Sequence, residues 1–242
     1  MAEALKETDI LLHAYVLMTN CVHLLLTPKR AAEVPKLMIL LGRHCAQYFN
    51  STCGRRGALW NSRYKSSLIQ AETYLLRCVR YFELNPVRPG MIGDPAYCRW
   101  SRFRCNALGQ NSSPSTPHPV HAALGRSGEA RCAAYRQRFR HHLEEAAVDD
   151  LRLALNQRQP LGDSRFYAKI ERMVGQRRQA RPRGRPAAPG MGAGKGRRAA
   201  APAGALSLPV GGADNASLAP FLDLWVKVSV VGEGGERGER CR

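Results

Sequence analysis

The stretch HAYVLMTNCVHLLLT, residues 13–27, decides how the rest of the chain is read. Its β-forming apolar residues divide around Thr19-Asn20 into two runs, Tyr15 to Met18 and Val22 to Leu26. Two short apolar runs flanking turn-forming residues predict a β-hairpin. Within the second run Cys21 and His23 stand two apart, so on a strand both side chains point to the same side. Imidazole and thiolate are both metal ligands. Taken alone, the pair is more simply read as packing residues of an apolar strand.

Downstream, Leu37, Leu40, Leu41, Cys45, Tyr48 and Phe49 recur at three- and four-residue steps, which predicts a helix over residues 31–49. Pro35 is compatible with it only near the first turn, so the helix should start close to Val34. After the turn Gly54-Arg55-Arg56-Gly57, a strand is expected from Ala58 to Ile69, carrying Trp60, Arg63, Tyr64 and Lys65. The clearest helix is AETYLLRCVRYFEL, residues 71–84, closed by Asn85-Pro86 because proline disfavours helix in the residue before it. Strand, strand, helix, strand, helix is the order of a small α+β domain ending near Gly109. A Ser/Pro-rich linker (residues 110–119) follows, then a helical region (120–175). The segment from Gln176 to Arg198 has eight Arg or Lys, no acid, and many Gly, Pro and Ala. Such a composition cannot bury enough apolar surface to fold alone, so residues 176–242 are expected to be a basic, disordered tail.

The whole chain carries 37 Lys+Arg against 19 Asp+Glu, a formal net charge of +18. A polyanion is the natural partner of so basic a chain, and nucleic acid is the commonest one. The eight cysteines (21, 45, 53, 78, 98, 105, 132, 241) form no CxxC pair and read as reduced thiols. The acidic, mixed N-terminus is not a signal peptide. The apolar stretch from Leu218 to Val231 is interrupted by Pro220, Asp223 and Lys227 and is too short to span a bilayer. A soluble, cytoplasmic protein without membrane contact is the expectation.

Tyr81 and Asn85 lie four residues apart, neighbours on one helical face. A tyrosine phenolate can attack a phosphodiester and hold the cleaved strand covalently. An amide oxygen one turn further on can coordinate a divalent cation. Taken alone, Tyr74 and Tyr81 at seven-residue spacing suit simple packing. Arg55, Arg56, Arg63, Lys65, Arg77, Arg80 and Arg88 surround these elements, with Trp60, Tyr64 and Phe82 interleaved. Cations for phosphates and rings for unstacked bases are what a single-strand groove needs, although an ordinary solvated surface has the same composition. In the tail, Arg181, Arg183 and Arg185 form an Arg-Gly-Arg element (residues 181–186) able to enter a narrow A·T minor groove.

Together and in this order, five segments resemble the REP-associated tyrosine transposases, relatives of the insertion-sequence transposases of the HUH class. They are HAYVLMTNCVHLLLTP, LMILLGRHCAQYFN, GRRGALWNSRYKSSLI, YLLRCVRYFELNPVRPGMI and YCRWSRF, spread over about residues 13–105. The resemblance implies an antiparallel sheet with helices on one side. In that family two histidines separated by one large apolar residue bind a divalent metal on the sheet. A helix supplies the nucleophilic tyrosine, and an amide residue one turn later completes the site. His23 matches the second histidine, Tyr81 the nucleophile and Asn85 the amide ligand. The implied cofactor is Mg²⁺ or Mn²⁺, and the implied substrate is single-stranded or hairpin-forming palindromic DNA. The implied reaction is cleavage and rejoining through a 5′-phosphotyrosine, by a monomer or homodimer close to a prokaryotic nucleoid.

The chain departs from the family in two ways. Cys21 replaces the first histidine and Thr19 a proline two residues earlier, and thiolate suits softer ions than magnesium, so weak metal binding is expected. Family members also begin with a strand and a helix ahead of the segment that starts here at Ile10. Without them one edge of the sheet is expected to stay unpaired. Two other readings fit: a remnant that only binds or regulates DNA, and a basic RNA-binding protein.

Overall fold

A computed structural model describes residues 1–18, 21–60, 62–110, 115–140, 143–174 and 223–229. The hairpin is formed by β1 (Ile10–Leu17) and β2 (Cys21–Pro28). Their antiparallel register sets Leu17 against Val22, Tyr15 against Leu24 and Leu12 against Leu26. The register skips at His13, between Leu12 and Ala14. One extra residue on a strand reverses which side chains face which side. Accordingly Ile10 and Leu12 face one apolar cluster, while Ala14 and Val16 face the other. His13 is buried at the bulge, with Nε2 2.8 Å from Thr27 Oγ1 and Nδ1 3.0 Å from the Thr116 carbonyl.

The sheet is α+β in its surroundings and contains four strands in the order β1-β2-β4-β3. β3 spans Lys65–Ile69 and β4 spans Asp223–Ser229. β4 runs antiparallel to both neighbours, so Val226 pairs with Leu24 on one side and Ser66 on the other. One expectation changes here. Residues 223–229 are a strand within a tail expected to be wholly disordered. That strand pairs β2 along Cys21 to Leu26, so β2 lies inside the sheet and the outer strands are β1 and β3, in keeping with the expectation of an unpaired edge. The local cause is β-propensity: DLWVKVS is rich in β-branched and aromatic residues, unlike the Gly/Pro/Ala segments before it.

Helices cover both faces of the sheet, which corrects the expectation of one. The short α1 (Ala2–Lys6) and the long α2 (Glu33–Thr52) pack against Leu12, Leu24 and Leu26. On the opposite face, Ala14, Val16, Leu25 and Ile69 meet α3 (Ala71–Glu83). Also on that face are α4 (Phe103–Leu108), α6 (Gly128–Gln137) and α7 (Glu145–Gln157), with the short α5 (Pro119–Ala122) beside α3 and α8 (Ser164–Val174) closing the series. The reason lies in β2: Leu24, Leu25 and Leu26 are all buried, so a run of consecutive leucines must be covered on both sides. Each such side chain contributes about 1.5–3 kcal/mol by leaving water.

Pro35 is the third residue of α2, where the missing N–H would have no helical partner anyway. The strand expected over 58–69 is confined to Lys65–Ile69. Gly54 and Gly57 adopt left-handed backbone (φ 61° and 95°), and the Trp60 indole N–H donates to the Gly42 carbonyl at 3.1 Å. That bond turns the segment onto α2 and out of the ladder. Six described cysteines (21, 45, 78, 98, 105, 132) are in no disulfide, whereas Cys53 is disulfide-bonded, which corrects its reading as a reduced thiol. Among the described residues no helix is long and apolar enough to cross a membrane.

A buried polar group ties α3 to the later helices. The Tyr135 hydroxyl on α6 donates to Glu83 Oε2 at 2.5 Å, with Arg102 and Asn106 beside them. Burial pushes the Glu83 pKa up to about 8, against the smaller opposing effects of the Tyr135 bond and Arg102. Unfolded Glu83 ionises near pH 4.5 while the folded carboxyl keeps its proton. Stability therefore falls as pH rises from about 4.5 to about 8 and is level above that. His121 acts in the opposite sense: burial, then Arg102 and Arg131, push its pKa down from 6.5 to about 4, so stability falls as pH drops through that window. The two slopes oppose one another at acid pH, and of the two that of Glu83 alone extends from 6.5 to 8. In urea titrations the wild-type midpoint should decline across that last interval, and Glu83→Gln should flatten it. Equal slopes in both proteins would refute the assignment.

Candidate functional site

His23 enters from β2 on the α3 side of the sheet, because Leu25, two residues on, faces that same cluster. It is buried, and its ring lies parallel to Phe82 at 6.1 Å and edge-on to Tyr81 at 6.4 Å between centroids. α3 supplies Tyr81 and Phe82, and Asn85 follows just past its end because the helix stops at Glu83 before Pro86. The Asn85 amide lies 3.1 Å from His23 Nε2. Arg88, in the turn after α3, donates through Nη1 to Asn85 Oδ1 at 2.8 Å and to the Tyr81 carbonyl at 3.1 Å. Arginine only donates, so the Asn85 atom facing it is the oxygen, and the amide nitrogen faces His23. The Arg88 guanidinium carbon also sits 4.6 Å from the centre of the Tyr81 ring. The three residues singled out from sequence, 62 positions apart at the extremes, thus form one cluster.

A fourth element completes it. Arg152 on α7 hydrogen-bonds the Tyr81 side chain and is itself held by Asp149 Oδ1 at 3.2 Å, one turn earlier. The bond to Tyr81, ahead of the contacts with Asp149, pushes the Arg152 pKa up. Arg88 is shifted the other way, by burial first, with Tyr81 raising it and the like charges of Arg152 and Arg80 lowering it.

The donors for a hard divalent cation do not fit as they stand. Asn85 Oδ1 is committed to a guanidinium, and His23 Nε2 to the Asn85 amide. Cys21 is buried, with its sulfur 3.8 Å from the Met18 sulfur, and a thiol is a soft ligand. Among the described residues no group of three or more His, Cys, Asp and Glu converges as a metal site.

The remaining predicted residues divide. Lys65, with its ammonium 3.1 Å from Asn156 Oδ1 on α7, lies on the Tyr81 side of the sheet. Arg77 stacks over Tyr74 on α3 at 5.7 Å. Trp60 and Tyr64 pack with the α2 cluster on the opposite face, so they do not join the surroundings of Tyr81. Arg56 and Arg63 are exposed and Arg55 is half-buried in the same loop. Arg181, Arg183 and Arg185 lie outside the described residues. Sequence reasoning missed Arg152, which only folding brings to Tyr81. It also missed Trp100 and Tyr97, 58% and 74% exposed. The Trp100 carbonyl accepts from the Leu17 N–H at 2.8 Å, beside the turn end of the hairpin, and Arg99 stacks on the indole at 5.2 Å. The aromatic spacing in YCRWSRF was the available signal.

Comparison with known protein families, with curated proteins and with solved structures finds no match to this chain.

Proposed function

We propose that the chain is a single-strand-DNA-acting protein of the HUH single-tyrosine transposase type, with Tyr81 as its nucleophile. The observation that carries this reading is the cluster of His23, Tyr81 and Asn85, built from a sheet strand and the end of a helix. A formal net charge of +18 supplies the attraction for a polyanion. In the reaction Tyr81 Oη forms a bond to the scissile phosphorus while the bond from phosphorus to the 3′ oxygen breaks. The phenolic proton leaves to solvent, the 3′ oxygen is protonated from solvent, and a 5′-phosphotyrosine results. Rejoining reverses these steps with another 3′-hydroxyl as nucleophile.

A hairpin oligonucleotide labelled at its 3′ end tests this. Wild type should yield a protein-linked band that resists denaturation, and Tyr81→Phe should yield none. Equal adduct from Tyr81→Phe would remove Tyr81 from the role. Tighter binding to a hairpin RNA than to the same hairpin in DNA would favour the RNA-binding reading instead. Hairpin DNA binding without any adduct would leave a protein that only binds or regulates DNA.

A further inference from the structure

Around Tyr81 positive charge gathers in excess: of three arginines, Arg152 alone has an acidic partner among the described residues. Arg88 covers the ring face, Arg152 bonds the side chain, and Arg80 lies near enough to act electrostatically on Arg88. Among the described residues Arg80 and Arg88 form no ion pair, and Arg152 pairs only with Asp149. Arginines kept this close repel one another, a cost that an anion placed between them relieves.

We propose that Arg88 and Arg152 form a two-guanidinium clamp for a phosphodiester at the Tyr81 hydroxyl, in the place where the resemblance puts a divalent cation. This rests on the reading of Tyr81 as nucleophile. Guanidinium groups are suited to the task, because each presents parallel N–H donors to the non-bridging oxygens of a phosphate. Both arginines are held in advance. Arg88 is anchored through Nη1 alone, to Asn85 and the Tyr81 carbonyl, so Nε and Nη2 make no hydrogen bond among the described residues. Arg152 is braced by Asp149 and stays 52% exposed, so an incoming strand can reach it. The donors that would bind a metal are instead turned toward Arg88 and toward each other. The clamp gives a role to α7: it delivers one arginine to a tyrosine 71 positions away.

Two measurements on the full chain test this. In the first, adduct formation on the 3′-labelled hairpin is followed in EDTA and in Mn²⁺. Wild-type adduct should persist in EDTA, fall about 100-fold in Arg152→Gln and recover in part in Arg152→Lys. In the second, a fluorescent single-stranded oligothymidine is titrated by anisotropy. Arg152→Gln and Arg88→Gln should each weaken binding about 5- to 10-fold, whereas Arg104→Gln, an exposed change on α4, should not. Adduct that needs added Mn²⁺ would overturn the metal-free part of the proposal. Unchanged adduct and affinity in Arg152→Gln would overturn the clamp and leave Tyr81 in place. If wild type forms no adduct at all, the Tyr81 reading fails. The clamp is then judged on binding alone, where equal affinities for Arg152→Gln and Arg104→Gln overturn it.

Discussion

Val226→Pro is expected to lower folding stability sharply, by removing a ladder hydrogen bond from an interior strand. Val226 occupies the middle of β4, with Leu24 opposite on β2 and Ser66 opposite on β3. Proline brings no N–H to the ladder, and in an interior strand its ring meets a neighbouring chain on either side. β3 also reaches the hairpin only through β4 in the order β1-β2-β4-β3. Loosening β4 therefore detaches β3 from β2 as well as weakening its own two ladders. Small domains have about 5–15 kcal/mol of stability in total, so the urea midpoint should shift far toward zero. A midpoint shift equivalent to less than about 0.5 kcal/mol, the range of ordinary surface substitutions, would show that residues 223–229 do not hold the sheet together.

Phe82→Ala should be nearly as damaging, at about 3–5 kcal/mol. Phe82 is fully buried and lies parallel to the His23 ring. Its removal opens a cavity directly behind the imidazole, in a cluster that also contains Tyr81 and Leu25. Beyond the stability loss, His23 would lose the surface that fixes its plane and so its aim at Asn85. At temperatures where Phe82→Ala remains folded, hairpin adduct should fall well below wild type while oligothymidine binding, governed by the arginines, changes little. Loss of both together in a folded protein would place Phe82 in the DNA surface instead of behind it.

What could be read from sequence was local. The hairpin was legible because Thr19-Asn20 interrupts two runs of β-formers; the strands reach out to Ile10 and Pro28, and at the turn end stop at Leu17 and start at Cys21. α3 was legible because its apolar period is strong and Asn85-Pro86 ends it. The approach of His23 to Asn85 was implied by the resemblance alone, since each residue by itself reads as packing. The two-sided burial of the sheet could not be anticipated, because it depends on the single-residue bulge at His13 and on which helices return to each face. The segment 58–64 looked extended by composition, yet one indole bond to Gly42 turns it aside. Arg152 shows the same limit more sharply. Its neighbours on α7 mark it as an ordinary exposed arginine with an i−3 aspartate, and only the packing of α7 on the sheet brings it to Tyr81.

The position of β4 also orders events in time. Every other described element precedes it along the chain, and residues 175–222 separate it from α8. A ribosome adding about 5–20 residues per second needs roughly 2–10 s to cross that interval. Throughout it β1, β2 and β3 have already been made, but the strand that joins β2 to β3 has not. The nascent chain thus presents two facing, unpaired backbone edges, a natural docking point for a chaperone and a hazard between neighbours on one polysome. The last strand to emerge is the one that closes the middle of the sheet.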